Sequence, residues 1–193
     1  MPSIDQEIRK CVSVLQAGGT LLYPTDTIWG IGCDATNPDA VEKIYRLKNR
    51  VESKSLIILL DAPGKIRDYV SVVPEIAWEL VENTNAPLTV IYPQAKNLAS
   101  NVTANDHSIA IRIVNNEFCQ RLIRTFGKPI VSTSANISGA VQPLDFKDIA
   151  PEITGGVDHV VDESLSRFGN ARPSQIIKLE INGEFKIIRQ FLH

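Results

Sequence analysis

Hydroxyl groups cluster twice in this 193-residue chain, each time just behind a short apolar run. Tyr23-Pro24-Thr25-Asp26-Thr27 follows Thr20-Leu21-Leu22, and Ser132-Thr133-Ser134-Ala135-Asn136-Ile137-Ser138-Gly139 follows Pro129-Ile130-Val131. An Asx or ST turn accounts cheaply for one or two hydroxyls beside Asp26. It does not account for a second hydroxyl-rich loop placed the same way after a buried strand. In open α/β sheets, ligands sit where such loops leave the strand ends. A third segment, Arg46-Leu47-Lys48-Asn49-Arg50-Val51-Glu52-Ser53-Lys54, is locally basic. It reads either as a solvated helix end, where cations are favoured, or as the neutralising part of a site. Hydroxyls and backbone N–H groups position phosphate oxygens, and Lys48, Arg50 and Lys54 would balance their charge. The combination points to an anionic, polyoxygenated ligand. Arg112 adds a fourth signal, because it opposes in phase the isoleucines Ile109, Ile111 and Ile113 of its own run. It is either an edge arginine facing water or a clamp on a carboxylate or phosphate. No Ser-His-Asp, Cys-His or paired-carboxylate arrangement can be read from the spacing. Catalysis by such a site would rest on positioning and charge neutralisation.

Other chemistries are excluded by context. Gly30-Ile31-Gly32-Cys33-Asp34-Ala35 fits the dinucleotide pattern G-x-G-x-x-A, which must join a strand directly to a helix N-terminus. Here the strand ends near Tyr23 and the next helix begins near Pro38. No GxxxxGK[ST] is present, so a P-loop is absent as written. Three cysteines without a CxxC, and three scattered histidines without HExxH, support neither a disulfide framework nor a protein-built metal site. Net charge is −2, which gives no general push toward nucleic acid. With no apolar run near the ~20 residues of a membrane span and no signal-peptide segment, the expected location is cytoplasmic, with no membrane partner.

The elements that must position these residues follow from periodicity and punctuation. Ser3-Ile4-Asp5-Gln6 reads as a capping box, opening a helix with Ile4, Ile8, Val12 and Leu15 on one face and Gly18-Gly19 at its end. Thr20 to Tyr23 is a strand. Asn37-Pro38 starts a second helix, with Val41, Ile44 and Tyr45 inward. Ser55-Leu56-Ile57-Ile58-Leu59-Leu60 reads as a strand covered on both faces. Pro74 to Asn83 is a third helix, and Leu88 to Tyr92 and Ser108 to Val114 are strands. Asn116 to Gly127 is a helix closed by glycine, and Pro129 to Ser134 is again a strand. Two apolar runs flank Asn182-Gly183, a strong hairpin signal. Interleaved helices and strands ending in a hairpin argue for one α/β (α+β) domain, residues 1–193, with a mixed sheet.

Taken in order, "YPTDTIWGIGCDA", Lys48-Asn49-Arg50 and "STSANISG" resemble the signature of the YrdC-like family, the threonylcarbamoyl-AMP synthases. "APLTVIY", "SIAIRIV", "PSQII" and "IIRQ" resemble its later landmarks, so the resemblance runs from about Ala17 to Gln190. Any one motif is weak, whereas the ordered set is specific. The resemblance implies a YrdC-type domain, a twisted mixed parallel/antiparallel sheet with flanking helices and a large concave cleft. It implies L-threonine, bicarbonate and ATP as substrates, L-threonylcarbamoyladenylate and pyrophosphate as products, and Mg²⁺ arriving with ATP. A transferase would then use the adenylate to modify adenosine 37 of tRNA, and weak tRNA binding is a further expectation. By the same resemblance, Lys48, Arg50, Ser134 and Asn136 are catalytic. Arg50, Lys54, Asn136 and Arg189 would face ATP, and Thr27, Arg112, Ser134 and Ser174 would face threonine. The chain departs from the usual pattern at Val51, where proline is common, at Gln175, where threonine is common, and at Gln190-Phe191, where glycine follows the arginine. The extra C-terminal domain of longer relatives is expected to be absent. Two alternatives stay open: a divergent paralogue of the YciO type, and an RNA-binding module using the same basic cleft without synthase activity.

Overall fold

The computed structural model describes residues 3–49, 56–84, 86–166 and 173–190. Helix α1, Ile4–Gln16, opens at the capping box: the Ser3 hydroxyl accepts from Gln6 N, and the Gln6 side chain accepts from Ser3 N. Its inward face buries Ile8, Cys11 and Leu15, and burying each of the two aliphatic side chains contributes about 1.5–3 kcal/mol. Gly18 follows at φ +71°, a left-handed conformation that turns the chain into the sheet without a Cβ penalty. The strands are β1 Leu21–Tyr23, β2 Gly30–Gly32, β3 Ile57–Leu60, β4 Leu88–Tyr92, β5 Ile109–Ile113, β6 Ile130–Ser134, β7 His159–Val160, β8 Gln175–Leu179 and β9 Phe185–Arg189. The remaining helices are α2 Pro38–Leu47, α3 Ile66–Tyr69, α4 Ile76–Glu82, α5 Glu117–Phe126 and α6 Pro151–Thr154.

Among the described residues the nine strands form one sheet in the order β7-β1-β2-β6-β3-β5-β4-β8-β9. It is mixed: β1/β7, β3/β5 and β4/β8 are parallel, and the other neighbouring pairs are antiparallel. The Asn37 cap read from sequence is present, accepting from Asp39 N and Ala40 N, and α5 has a cap that the sequence reading did not assign, Asn116 accepting from Cys119 N. The Asn182-Gly183 hairpin forms, with Gly183 at φ +85° and β8 paired to β9.

Two strands were not expected. The Gly30-Ile31-Gly32 run is β2 itself, not a phosphate-cradling turn, and it stands between β1 and β6. Glycine is depleted in strands, yet here it is needed. A Cβ on Gly32 would lie 2.3 Å from the Val131 carbonyl oxygen and 2.6 Å from the Tyr23 ring. The two-residue β7 is held by side chains. Asp158 Oδ2 accepts from Thr20 N and Oγ1 at 2.8 and 3.0 Å, and His159 Nε2 lies 2.6 Å from Glu7 Oε1. No helix among the described residues is long and apolar enough to cross a membrane.

Candidate functional site

Period-two alternation on β5 and β8 builds one wall of the site. Ser108, Ala110 and Arg112 on β5 and its approach, and Ser174, Ile176 and Lys178 along β8, face a common cleft of about 660 Å³. The turn after β1 adds Thr27, and the end of β6 adds Ser132, Thr133 and Ser134. The two hydroxyl-rich loops therefore meet across β2, whose glycines let β1 and β6 close in on it: Tyr23 Oη donates to the Val131 carbonyl at 2.9 Å.

The first loop is wired internally. Thr25 Oγ1 gives its proton to the Ile28 carbonyl at 2.8 Å and accepts from Thr27 N at 3.1 Å. It also lies 2.9 Å from Thr27 Oγ1. A hydroxyl has one proton, so Thr27 must be the donor in that contact. The lone pairs of Thr27 are left as acceptors at the cleft wall, suited to an incoming hydroxyl or ammonium. Arg112 is not an edge residue facing water. Its strand lies between β3 and β4, it is buried, and its Nη2 reaches Asp26 Oδ1 at 3.2 Å and Thr25 Oγ1 at 3.4 Å.

Arg189 enters from β9. Its Nε and Nη2 donate to the Ser174 carbonyl at 3.0 and 2.7 Å, and Ser174 Oγ pairs with the buried Thr89 Oγ1 at 2.7 Å. Burial first, and then the nearby charge of Arg112, lowers the Arg189 pKa from its ordinary value. Two guanidinium groups thus feel each other across the cleft, an arrangement that an anion between them would relieve. Lys178 stands at the rim, paired with Asp106 Oδ2 at 3.0 Å.

Of the residues singled out from sequence, Thr27, Arg112, Ser134, Ser174 and Arg189 come together in this cleft. Arg50 and Lys54 lie outside the described residues. Lys48 and Asn136 are present but turned elsewhere. The buried Lys48 Nζ donates to the Ser134 and Asn136 carbonyls, and its own carbonyl accepts from Ser138 N at 2.9 Å. Asn136 Nδ2 donates to the Ile137 and Ala140 carbonyls at 3.1 and 2.7 Å. Both residues hold the second loop in shape. Sequence reasoning missed Lys178 and Ser108, although each shares the alternation phase of a residue it did select: Lys178 that of Ser174, and Ser108 that of Arg112. Far from the cleft, the donor atoms of Glu7, Cys11 and His159 lie within 4.8 Å of one another. Two ligands each about 2.0 Å from a tetrahedral ion sit roughly 3.3 Å apart. The 2.6 Å Glu7–His159 contact is instead a closed hydrogen bond.

The family model described as "Telomere recombination" (Sua5, YciO, YrdC) matches residues 13–190. The chain belongs to the Sua5/YciO/YrdC family. It is 34% identical over 180 residues to the threonylcarbamoyl-AMP synthase of Pseudoalteromonas translucida, covering 92% of this chain and 95% of that one. It is 36% identical over 173 residues to the synthase of the same name from Hahella chejuensis, covering 88% and 91%. The P. abyssi Sua5 structure complexed with L-threonine superposes with a TM-score of 0.82 at 26% identity, over 89% of this chain. The chain spans only 50% of that Sua5 chain and 55% of the H234A/Y235A Sua5 variant. E. coli YciO shares the fold, with a TM-score of 0.82 at 22% identity. The Sua5/YciO/YrdC fold thus accounts for the mixed sheet.

Proposed function

We propose that this protein is a threonylcarbamoyl-AMP synthase acting through residues 1–193 as a single YrdC-like domain. The observation that carries the proposal is the pairing, in one cleft, of an outward hydroxyl acceptor on Thr27 with the buried guanidinium of Arg112. An amino acid with a hydroxyl side chain matches both: its carboxylate meets Arg112 and its hydroxyl meets Thr27. Ser134 and Ser174 stand on either side. Arg189, together with Arg50 and Lys54, would take the phosphates of ATP.

The product N–C(=O)–O–P linkage dictates the bonds. The threonine nitrogen joins the carbon of bicarbonate with loss of water. The resulting carbamate oxygen bonds to the α-phosphorus, and the α–β phosphoanhydride breaks to release pyrophosphate. Neither step needs a protein nucleophile. What the chain supplies is alignment and charge: hydroxyls at the reacting carbonyl and phosphoryl oxygens, cations along the phosphates, and an enclosed cleft. No aspartate or glutamate is among the described residues lining the cleft. That donor set suits Mg²⁺ held by ATP's own phosphates rather than by a protein cage. When bound, Mg²⁺ would neutralise phosphate charge. Lys48 and Asn136 act as positioning residues for the Ser134 loop. A cytoplasmic location and a tRNA threonylcarbamoyl transferase as consumer of the adenylate complete the proposal.

Pyrophosphate release with all three substrates tests the proposal. It should require threonine and bicarbonate together. Serine, which loses only a methyl contact worth ~1–3 kcal/mol, should follow threonine, and valine, which leaves Thr27 without a donor, should come last. Equal rates with valine would overturn the assigned role of Thr27.

A further inference from the structure

Asp26 lies between two threonines of the cleft network, yet its side chain turns away from the cleft. It lines a separate cavity of about 420 Å³ together with Asn115 and Gln120. Its Oδ2 accepts from Asn115 N at 3.1 Å. Its Oδ1 lies 3.2 Å from Arg112 Nη2, and the two side chains are only 6% and 5% exposed. The carboxylate therefore reaches Arg112 from behind while the guanidinium lines the cleft in front. The pair is not tuned for stability. Neither Asp26 Oδ1 nor Arg112 Nε has a hydrogen bond, and a buried ion pair with unmet hydrogen bonds seldom repays its desolvation.

A buried guanidinium on its own would bind the wrong ligand. In a low dielectric its attraction for a dianion is about twice that for a monoanion. The reaction proposed above brings ATP and pyrophosphate into the same space as the threonine carboxylate. Paired with Asp26, Arg112 adds no net formal charge to this subsite, although its field still reaches Arg189. What remains in front is a set of directional N–H donors, steadied by Thr25 Oγ1 at 3.4 Å. A single carboxylate is satisfied by such donors. A phosphate-type dianion gains the same hydrogen bonds but is repelled by the carboxylate behind them.

We propose that Asp26 is a charge filter: it cancels Arg112 so that this subsite accepts the monoanionic carboxylate of a free amino acid and refuses phosphate-type dianions. The inference rests on the assignment of Arg112 to the threonine carboxylate. Asp26 is a specificity-determining residue acting through Arg112, not a group that touches substrate.

Calorimetric titration of the full chain without ATP tests it, with sulfate as the dianion and chloride matching the ionic strength. In the wild type, sulfate should leave the apparent threonine Kd within about twofold of its chloride value. In Asp26→Asn and Asp26→Ser it should weaken threonine binding by about fivefold or more, as the loss of one opposing charge at this range implies. Sulfate itself should bind either variant at least about fivefold more tightly than it binds the wild type. Asp26→Glu, which keeps the charge, should follow the wild type. Direct sulfate–threonine competition in the wild type overturns the filter. So does its absence in a charge-removing variant that melts like the wild type. If neither Asn nor Ser at position 26 gives a native melt, Asp26 holds the fold and the inference fails. A wild type that binds no threonine would remove the functional reading instead, and sulfate affinity across the variants would still score the filter.

Discussion

Replacing Lys48 with methionine separates a residue that shapes the site from one that touches the substrate. The ammonium donates to the carbonyls of Ser134 and Asn136, and the backbone contact from Ser138 N to the Lys48 carbonyl would survive the change. A hydrogen bond from a charged group is worth about 1.5–3 kcal/mol, and a buried acceptor left without a partner costs ~1–3 kcal/mol. The Asn136 carbonyl bond is buried, so its loss should be felt in full, whereas the partly exposed Ser134 carbonyl can recruit water. Against this, methionine relieves the cost of keeping an ammonium out of water. The net expectation is about 2 kcal/mol of lost stability, or ~4–8 °C in Tm for a chain of this size. The catalytic loss should be larger, because a misplacement of about 1 Å at a reacting group costs on the order of a hundredfold. Thermal melting by circular dichroism and steady-state pyrophosphate release, assayed well below the lowered Tm, measure both. The kcat should drop about a hundredfold with the KM for ATP changed by less than about threefold. An unchanged Tm with the KM for ATP raised more than about tenfold would show Lys48 to be a direct phosphate ligand, and a rate near wild type would show the loop to hold without it.

Gly32→Ala should cost about 3 kcal/mol, at the upper end for overpacking, because its Cβ would meet the Val131 carbonyl and the Tyr23 ring within 2.6 Å. Gly64→Ala, which meets nothing within 4 Å, should stay within about 0.5 kcal/mol, and equal melts for the two would refute the close-approach argument. The thiols of Cys11, Cys33 and Cys119 should resist thiol reagents at pH 8 in the folded protein and react once it is denatured. Burial raises all three, with the charge of Glu7 adding to Cys11, which is pushed up to about 12; prompt labelling of the native chain would contradict this. Hydrogen bonds from Ser108 and Lys178 lower Asp106 to about 2. Its folded pKa lies below the unfolded value, so its contribution is present above about pH 4 and is lost as pH falls toward 2. Because Asp106 is exposed and screened, Asp106→Asn should flatten acid unfolding between about pH 4 and 2 by less than about 1 kcal/mol. An unchanged acid limb would refute the assignment.

Local chemistry made most of the fold legible. Caps at Ser3 and Asn37, the glycine stop at Gly127 and the Asn182-Gly183 turn all act over a few residues, and each is where its pattern put it. β2 was hidden because its glycines argue against a strand by propensity. They are required only by the proximity of Tyr23 and Val131, the latter about a hundred residues away in the chain. β7 was hidden because its two residues carry no period, and Thr20 and Glu7 fix it from afar. In the site, the hydroxyl-rich loops drew attention to Thr27 and Ser134 and the alternation phase to Arg112, whereas Ser174 and Arg189 came from the family resemblance alone; all five line the cleft. The direction of a side chain was not legible. Nothing in Lys48-Asn49-Arg50 says that the lysine turns inward to two carbonyls. Nothing in the Tyr-Pro-Thr-Asp-Thr run says that Asp26 meets an arginine 86 residues later.

In the proposed reaction one cleft joins threonine, bicarbonate and ATP. Mass spectrometry of a reaction run with isotopically labelled bicarbonate tests it most directly. A threonylcarbamoyl-AMP species that carries the label should form together with pyrophosphate and disappear when threonine is omitted. ATP cleavage that proceeds without threonine, or an adenylate that lacks the labelled carbon, would contradict it.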